Sequence, residues 1–373
     1  MNITDDAFRA AVDADYAKKA PDLSKTLNIL VVGKVSAGKS SLINSLFERA
    51  KSDPIARVGA RAGVTTSVQV FALDEHVCVI DSPGLDDVVS QNSEVTTRFL
   101  ESIDVAIFVV TGAVDASQKG TLETLRKKAE RTFVVLNKID EWDRLAETAL
   151  VDVVGQWKQA LNVERIYPTC TFGYDPTIRD GVPIDDRGIA ELRADVRVFI
   201  ESEGKDLLLA RHMGDKRAAA QKIILGAIAA VAAEAFLPVS AVLITATQAA
   251  SLGSLYYIYT GRVLSRANAL AILPTFASQS IGSNLFLWAK SMLPPTGIID
   301  VAAAGVAVTV TASMLLTVDS MLAAGSEIEE RTALKGRYGE MGARLNQVLA
   351  GAGWKDLGSA DFWRKVLHGL MYS

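Results

Sequence analysis

Gly33-Lys34-Val35-Ser36-Ala37-Gly38-Lys39-Ser40 lies between the apolar run Leu27 to Val32 and the segment Ser41 to Phe47. The order is strand, glycine-bearing loop, helix. Two glycines let the backbone fold tightly, so that consecutive N–H groups and the positive end of the following helix converge where a phosphate can sit. In a G-x-x-x-x-G-K-S loop Lys39 places a point charge on the β and γ phosphates, and the Ser40 hydroxyl is a magnesium ligand. Gly33, Ser36, Ala37, Gly38, Lys39, Ser40 and Ser41 are the candidate phosphate-side residues.

Downstream, Lys51 to Ser67 is polar and turn-rich and ends Arg61-Ala62-Gly63-Val64-Thr65-Thr66-Ser67. A loop of this kind becomes ordered when a threonine reaches a bound metal. Val68 to Leu73 and His76 to Ile80 read as two strands of a hairpin around Asp74-Glu75. The second strand runs into Asp81-Ser82-Pro83-Gly84. Alone, D-x-x-G is ordinary turn chemistry. Two strands after a phosphate loop, Asp81 can hold a magnesium ion through water and the Gly84 N–H can sense a γ-phosphate.

Asp104 to Val110 is a buried strand, Gln118 to Arg131 a helix and Thr132 to Leu136 another strand, which delivers Asn137-Lys138-Ile139-Asp140 to the same sheet edge. The Asp140 carboxylate can accept two hydrogen bonds, from the N1–H and the exocyclic amine of guanine. Adenine has an acceptor at N1 and no 2-amino group, so it leaves that carboxylate unsatisfied. Asn137 and Lys138 brace the loop and cover the base. A helix over Glu141 to Leu161 follows, then a strand over Glu164 to Pro168 ending Thr169-Cys170-Thr171, where a backbone N–H of Thr169 or Cys170 can meet the guanine O6. An amphipathic helix over Asp185 to Glu203 closes this half.

With these residues in place, Leu23 to Gly204 resembles the translation-factor-related, Era-like class of P-loop GTPases. G-K-V-S-A-G-K-S, the threonine of G-V-T-T, D-S-P-G and N-K-I-D stand in the order of that class's motifs. The resemblance implies a mostly parallel six-stranded sheet with helices on both faces. It also implies GTP and GDP as ligands with Mg2+, and Ser40, Thr65 and Asp81 as metal-side residues. Lys39, Thr65 and Gly84 are then the residues that act in hydrolysis. Thr65 is preferred to Thr66 on the analogy with G-V-T in ferrous-iron-transport GTPases. Two departures bear on rate. Leu85 follows Gly84 where a Ras-like enzyme has the glutamine that orients water, which resembles the hydrophobic-substituted subgroup. Ser36 stands where many relatives of that subgroup carry an asparagine that holds a potassium ion. Slow intrinsic hydrolysis without potassium activation is expected.

Composition frames the rest. The chain has 373 residues and a formal net charge of -4, which supplies no field to attract nucleic acid. Cys78 and Cys170 stand far apart, so a disulfide framework is not expected and a reducing compartment is. The N-terminus is acidic and lacks the apolar core of a secretory signal. Asp5 to Lys19 has Phe8, Ala11, Val12 and Tyr16 at helical spacing and is expected to pack on the domain that follows it.

Hydrophobic residues make up 49% of the chain, with a mean hydropathy of +0.22, and the excess sits in the second half. After a charged helix over Lys205 to Lys222, three stretches are almost free of charge: Ile223 to Tyr259, broken by Glu234, then Ala267 to Ala289 and Val301 to Val318. These approach or exceed the ~20 residues needed to cross a bilayer. They are also rich in small residues and interrupted by Pro238, Gln248, Pro274 and Gln279, and a tight soluble bundle is the alternative. Phe236-Leu237-Pro238, the run Gln248 to Tyr259 and Pro294-Pro295-Thr296-Gly297 resemble the helical domain of unknown function DUF697. Ser326 to Ala350 reads as a charged amphipathic helix, and Trp354 to Met371 as a last amphipathic piece.

The organisation expected is an N-terminal helix over 1–22, an α/β GTPase domain over 23–204 and an all-α, strongly apolar domain over 205–373. The function expected is slow GTP hydrolysis coupled to the helical domain at the cytoplasmic face of a membrane. The alternative is a dynamin-like or immunity-related type of GTPase whose output is nucleotide-dependent self-assembly or membrane remodelling. Partners expected are a guanine nucleotide, a membrane or membrane protein, and a second copy or an activating protein.

Overall fold

The computed structural model describes residues 5–58, 68–83, 99, 102–146, 148–174, 178–179, 181–277, 298–352 and 354–372. They divide into two compact units: Leu23–Gly214, and Met1–Asp22 together with Asp215–Ser373. Helix α1 (Asp5–Lys19) opens the chain and belongs to the second of these.

The first unit runs β1 (Leu27–Gly33), α2 (Lys39–Leu46), β2 (Gln69–Ala72), β3 (Val77–Ser82), β4 (Ile103–Val110), α3 (Lys119–Lys128), β5 (Ala129–Leu136), α4 (Ala149–Leu161), β6 (Tyr167–Pro168), α5 (Ile189–Ser202) and α6 (Asp206–His212). The six strands form one sheet in the order β2-β3-β1-β4-β5-β6. Only the β2–β3 pair is antiparallel. This is the P-loop GTPase fold. Every residue of β1 and of β4 is buried, as expected for strands covered on both faces. On one face Leu30, Val32, Ala106, Phe108, Val134 and Leu136 meet Leu122 and Leu125 of α3 and Val153 and Trp157 of α4. Strand alternation sends Ile29, Val31, Val105, Ile107 and Val109 to the other face, where they are equally buried. Helices α2 and α5 pack against each other and stand outside the first cluster, which leaves them to cover this second face.

Pairing moves several boundaries away from those read in the sequence. Ala129 to Arg131 leave the expected helix because Ala129 and Arg131 pair with Ile103 and Val105 of β4. The helix expected from Glu141 begins only at Ala149, after a 3-10 turn over Ile139–Trp142. Asp143, inside the expected helix, is drawn instead to Arg187. Only Tyr167 and Pro168 of the expected strand from Glu164 pair with β5. Helix α5 starts at Ile189 because Gly188 caps it at φ 76° against the Pro168 carbonyl, which a Cβ would meet at 1.9 Å. The helix expected over Lys205 to Lys222 is broken after His212, where the Gly214 N–H donates to the Phe47 carbonyl at 2.8 Å. That bond keeps α6 with the sheet, and the contact boundary falls after Gly214 rather than after Gly204.

The second unit contains α1, α7 (Arg217–Glu234), α8 (Ser240–Thr260), α9 (Arg266–Ala277), α10 (Ile298–Ala323), α11 (Arg331–Leu349), α12 (Trp354–Leu357) and α13 (Ala360–Met371). Helix α10 packs on α7, α8 and α11, while α13 packs on α7. Gln248 of α8 donates to Thr311 of α10 at 2.8 Å, and the Tyr259 hydroxyl donates to Asp319 at 2.6 Å, so these two helices run in the same direction. Both α8 and α10 are long and apolar enough to cross a membrane, yet 61% and 72% of their apolar windows are buried within the protein. Helix α1 packs on α8, through Val12 against Val242 and Ala246, and so is grouped with the helical unit rather than with the domain that follows it in sequence. A half-buried polar clamp fixes it there. The Lys19 ammonium donates to Glu234 at 2.6 Å, to Thr247 at 2.8 Å and to the Leu243 carbonyl at 3.1 Å.

Candidate functional site

Strand β1 delivers the phosphate loop between its two parallel neighbours, and the crowding there selects the glycines. A Cβ on Gly33 would stand 2.3 Å from the Val109 carbonyl oxygen. Gly38 caps α2 at φ 83°, and a Cβ on it would meet the Asn137 amide nitrogen at 2.4 Å. Ser36 is exposed and also adopts the left-handed region, at φ 64°. The loop therefore turns its backbone toward the N-terminus of α2, whose first N–H groups have no intrahelical partner.

Charge is concentrated at the base of this loop. The Lys39 side chain is 1% exposed, and its ammonium donates to the Lys34 carbonyl at 3.1 Å. Ser40 Oγ donates to Asp81 Oδ2 at 2.6 Å, and Asp81 Oδ1 is buried without a hydrogen bond, 3.8 Å from the Lys39 ammonium. Burial pushes the Asp81 carboxyl up from its ordinary value, against the Ser40 bond and the Lys39 charge. Burial likewise pulls Lys39 down, against the pull of Asp81. A carboxylate oxygen left unsatisfied beside a hydroxyl and a buried ammonium is a donor set that fits a hard divalent cation and the phosphates it accompanies.

Asn137 is the hub of the site and is fully buried. Its amide nitrogen donates to the Ala37 carbonyl at 2.9 Å and to Thr171 Oγ1 at 3.2 Å. Its carbonyl oxygen accepts from Thr169 Oγ1 at 3.1 Å. Lys138 then turns through φ 65° and puts Asp140 at the start of a 3-10 turn. The Cys170 thiol donates to Asp140 Oδ1 at 3.3 Å. Burial and that carboxylate push the thiol up to about 12, so it remains protonated.

The structure thus brings Gly33, Ala37, Gly38, Lys39, Ser40, Asp81, Asn137, Asp140, Thr169 and Cys170 into one linked set, with Ser41 buried in the first turn of α2. Thr65, Gly84 and Leu85 lie outside the described residues. The expectation for guanine O6 is corrected at two positions. The Thr169 N–H donates to the Leu136 carbonyl at 2.8 Å and the Cys170 N–H to the Arg187 carbonyl at 2.9 Å, so both are already spent. Sequence reading missed Thr171 as a partner of Asn137 and Arg187 as the clamp on Asp143 and Asp185. It also missed the ion pair between Lys34 and Asp115, which caps the 3-10 turn over Ala116–Gln118. Apart from the neighbours Asp185 and Arg187, these contacts carry no local sequence signal, because the partners are 34, 44 and 81 residues apart.

Residues 28–138 match the family model described as 50S ribosome-binding GTPase. Guanine nucleotide-binding protein-like 3 from Homo sapiens is 37% identical over 83 residues, which is 22% of this chain and 14% of that protein. GTPase Der from Kosmotoga olearia is 30% identical over 135 residues, 34% of this chain and 30% of that protein. The chain therefore spans less than a third of the length of either relative. Among solved structures, Roco2 RocCORdC of Methanosarcina barkeri bound to GDP aligns with 48% of this chain and 50% of its own, at 18% identity and a TM-score of 0.30.

Proposed function

We propose that this chain binds GTP with Mg2+, hydrolyses it slowly, and passes the nucleotide state to its helical unit at a membrane surface. The observation that carries the reading is the Asn137 amide, which ties the phosphate loop at Ala37 to the loop that bears Asp140. A nucleotide lying across these two loops meets Lys39 and a helix N-terminus at its phosphates and a carboxylate at its base. The carboxylate selects guanine, because only guanine offers two donors on that edge. The match of residues 28–138 to a GTPase family model and the likeness to GTPase Der support the same assignment.

Ser40 and Asp81 are the residues that would hold Mg2+, joined by Thr65 from the resemblance in sequence. When bound, that ion would neutralise charge on the phosphate oxygens. Lys39 binds the same phosphates from the protein side, and the Gly84 N–H reports the γ-phosphate to the segment that follows it. Leu85 has no polar atom to orient a water, which makes the turnover slow. The excess of apolar residues in the second half of the chain, with two helices long and apolar enough to cross a membrane, supports membrane association of the second unit.

Nucleotide titration and multiple-turnover phosphate release by the full chain test this reading. Lys39→Ala loses both. Asp140→Asn exchanges GTP for XTP, because an asparagine N–H pairs with the 2-carbonyl of xanthine, and lowers GTP affinity by about 2 kcal/mol. Phosphate release unchanged in Lys39→Ala, or ATP bound as tightly as GTP, overturns it. Separation of cell membranes from soluble protein tests the membrane component.

A further inference from the structure

Three loops meet at the base end of the site: the 3-10 turn over Ile139–Trp142 that carries Asp140, residues 170–172 after β6, and residues 185–188 before α5. Arg187 joins them. Its Nη1 and Nη2 donate to the two oxygens of Asp143 at 2.9 and 2.7 Å, a planar two-point pairing. Its Nε donates to the two oxygens of Asp185 at 3.0 and 2.9 Å. These bonds hold both carboxyls below their ordinary value, so both stay charged. The Asp185 N–H in turn donates to the Phe172 carbonyl at 2.9 Å, and the Arg187 carbonyl accepts the Cys170 N–H at 2.9 Å.

Together the bonds close a ring around Asp140. On one side the Asp143 N–H donates to the Asp140 carbonyl at 3.2 Å, which ties the Asp140 backbone to the residue that Arg187 grips. On the other side the Cys170 thiol donates to Asp140 Oδ1 at 3.3 Å, and Cys170 is itself held by the Arg187 carbonyl. The Arg187 and Asp143 side chains are 48% and 49% exposed. Exposed ion pairs as a rule add little to stability, and fixed two-point geometry within a network is the exception. Here the geometry bears on position. A carboxylate accepts the N1–H and the exocyclic amine of guanine together only when it lies in the plane of the base, and a tilt of its turn weakens one bond before the other.

We propose that Arg187 is a positioning residue for guanine selection: its fork on Asp143 and its carbonyl on Cys170 hold the Asp140 carboxylate in the plane of the base. The inference rests on the guanine reading proposed above and names a residue that sets how sharply the base is selected. Lysine does not replace Arg187, because an ammonium is a point charge and not a pair of parallel donors. Side-chain variants open the ring at Asp143 and leave the backbone bond to Cys170.

Equilibrium titration of the full chain with GDP, inosine diphosphate and ADP tests this. Inosine diphosphate keeps the N1–H of guanine and lacks its 2-amino group. The wild type binds GDP more tightly than the other two. Arg187→Ala and Arg187→Lys each lower the ratio of GDP to inosine diphosphate affinity by about tenfold. Asp143→Asn, which keeps the size of the side chain, lowers it in the same direction and decides the matter if Arg187→Ala does not fold. Arg187→Ala combined with Asp143→Ala lowers it no further than Arg187→Ala, since both open the same link. A role in stability alone would weaken both nucleotides together and leave the ratio as it was. An unchanged ratio in a folded Arg187→Ala or in Asp143→Asn therefore overturns the positioning role and leaves the guanine reading standing. A ratio fully kept in Arg187→Lys overturns the fork in favour of charge alone. A wild type that binds ADP or inosine diphosphate as tightly as GDP overturns the guanine reading, and this inference with it.

Discussion

Ser40 Oγ donates to one oxygen of Asp81 at 2.6 Å, while the other oxygen is buried without a hydrogen bond, 3.8 Å from the Lys39 ammonium. At that distance the lysine attracts the carboxylate without bonding to it. The pair is held in a dry place by the strand and helix that frame it, which leaves that oxygen without a partner.

Removing either charge leaves the other buried alone. Asp81→Asn and Lys39→Met each cost roughly 2–4 kcal/mol of stability, while the double variant costs clearly less than the sum. Urea unfolding of the four proteins checks this. In Asp81→Asn the dependence of GTP affinity on added magnesium also falls, which a purely structural pair would not produce.

Gly38 and Asn137 are matched in shape. Gly38→Ala forces a Cβ to within 2.4 Å of the Asn137 amide at a residue already at φ 83°. The expected cost is about 1–3 kcal/mol in stability, with nucleotide affinity reduced by about two orders of magnitude. Asn137→Ala shows the affinity loss without the backbone strain, so the two variants separate the causes by nucleotide titration and urea midpoint.

Ser36 is a serine in an exposed, left-handed position of the phosphate loop. It lacks the amide that would help to hold a monovalent cation near the phosphates. Turnover is expected to be equal in sodium and potassium chloride at matched ionic strength. A large potassium stimulation contradicts this.

His212 connects the end of α6 to the β2–β3 turn, with Nε2 2.6 Å from Asp74 Oδ2. Burial pulls the imidazole down from its ordinary value, against the pull of Asp74. The folded chain therefore prefers neutral His212. Its contribution is complete above the unfolded value of about 6.5 and is lost as pH falls through the lower folded value. Asp74, itself held below the ordinary carboxylate range by its hydrogen bonds to His76, His212 and Val77, adds a second loss at lower pH. Thermal midpoints should fall between about pH 7 and pH 5. His212→Gln should flatten the curve in that window.

Much of this arrangement was legible in the chain because it is local. A continuous apolar run before G-x-x-x-x-G-K-S has few ways to fold other than a buried strand feeding a helix N-terminus, and β1 and α2 do so. Asp81 lies near the end of β3 and Asn137 directly follows β5, strands that the same reasoning found within a few residues at their ends. Where the ends moved, pairing outweighed helix propensity, as at Ala129 and Arg131.

The sequence by itself determined the order of strands and loops and the residue types at the phosphate and base ends, since each depends on neighbours a few positions away. Only the tertiary structure decided what those residues touch. Asn137 reaches Ala37 across 100 positions, and Asp81 is left with one oxygen unbonded by the burial around it. Lys19 meets Glu234 across 215 positions and carries α1 into the helical unit. Long-range hydrogen bonds and burial depend on how elements pack, and no periodicity along the chain encodes them.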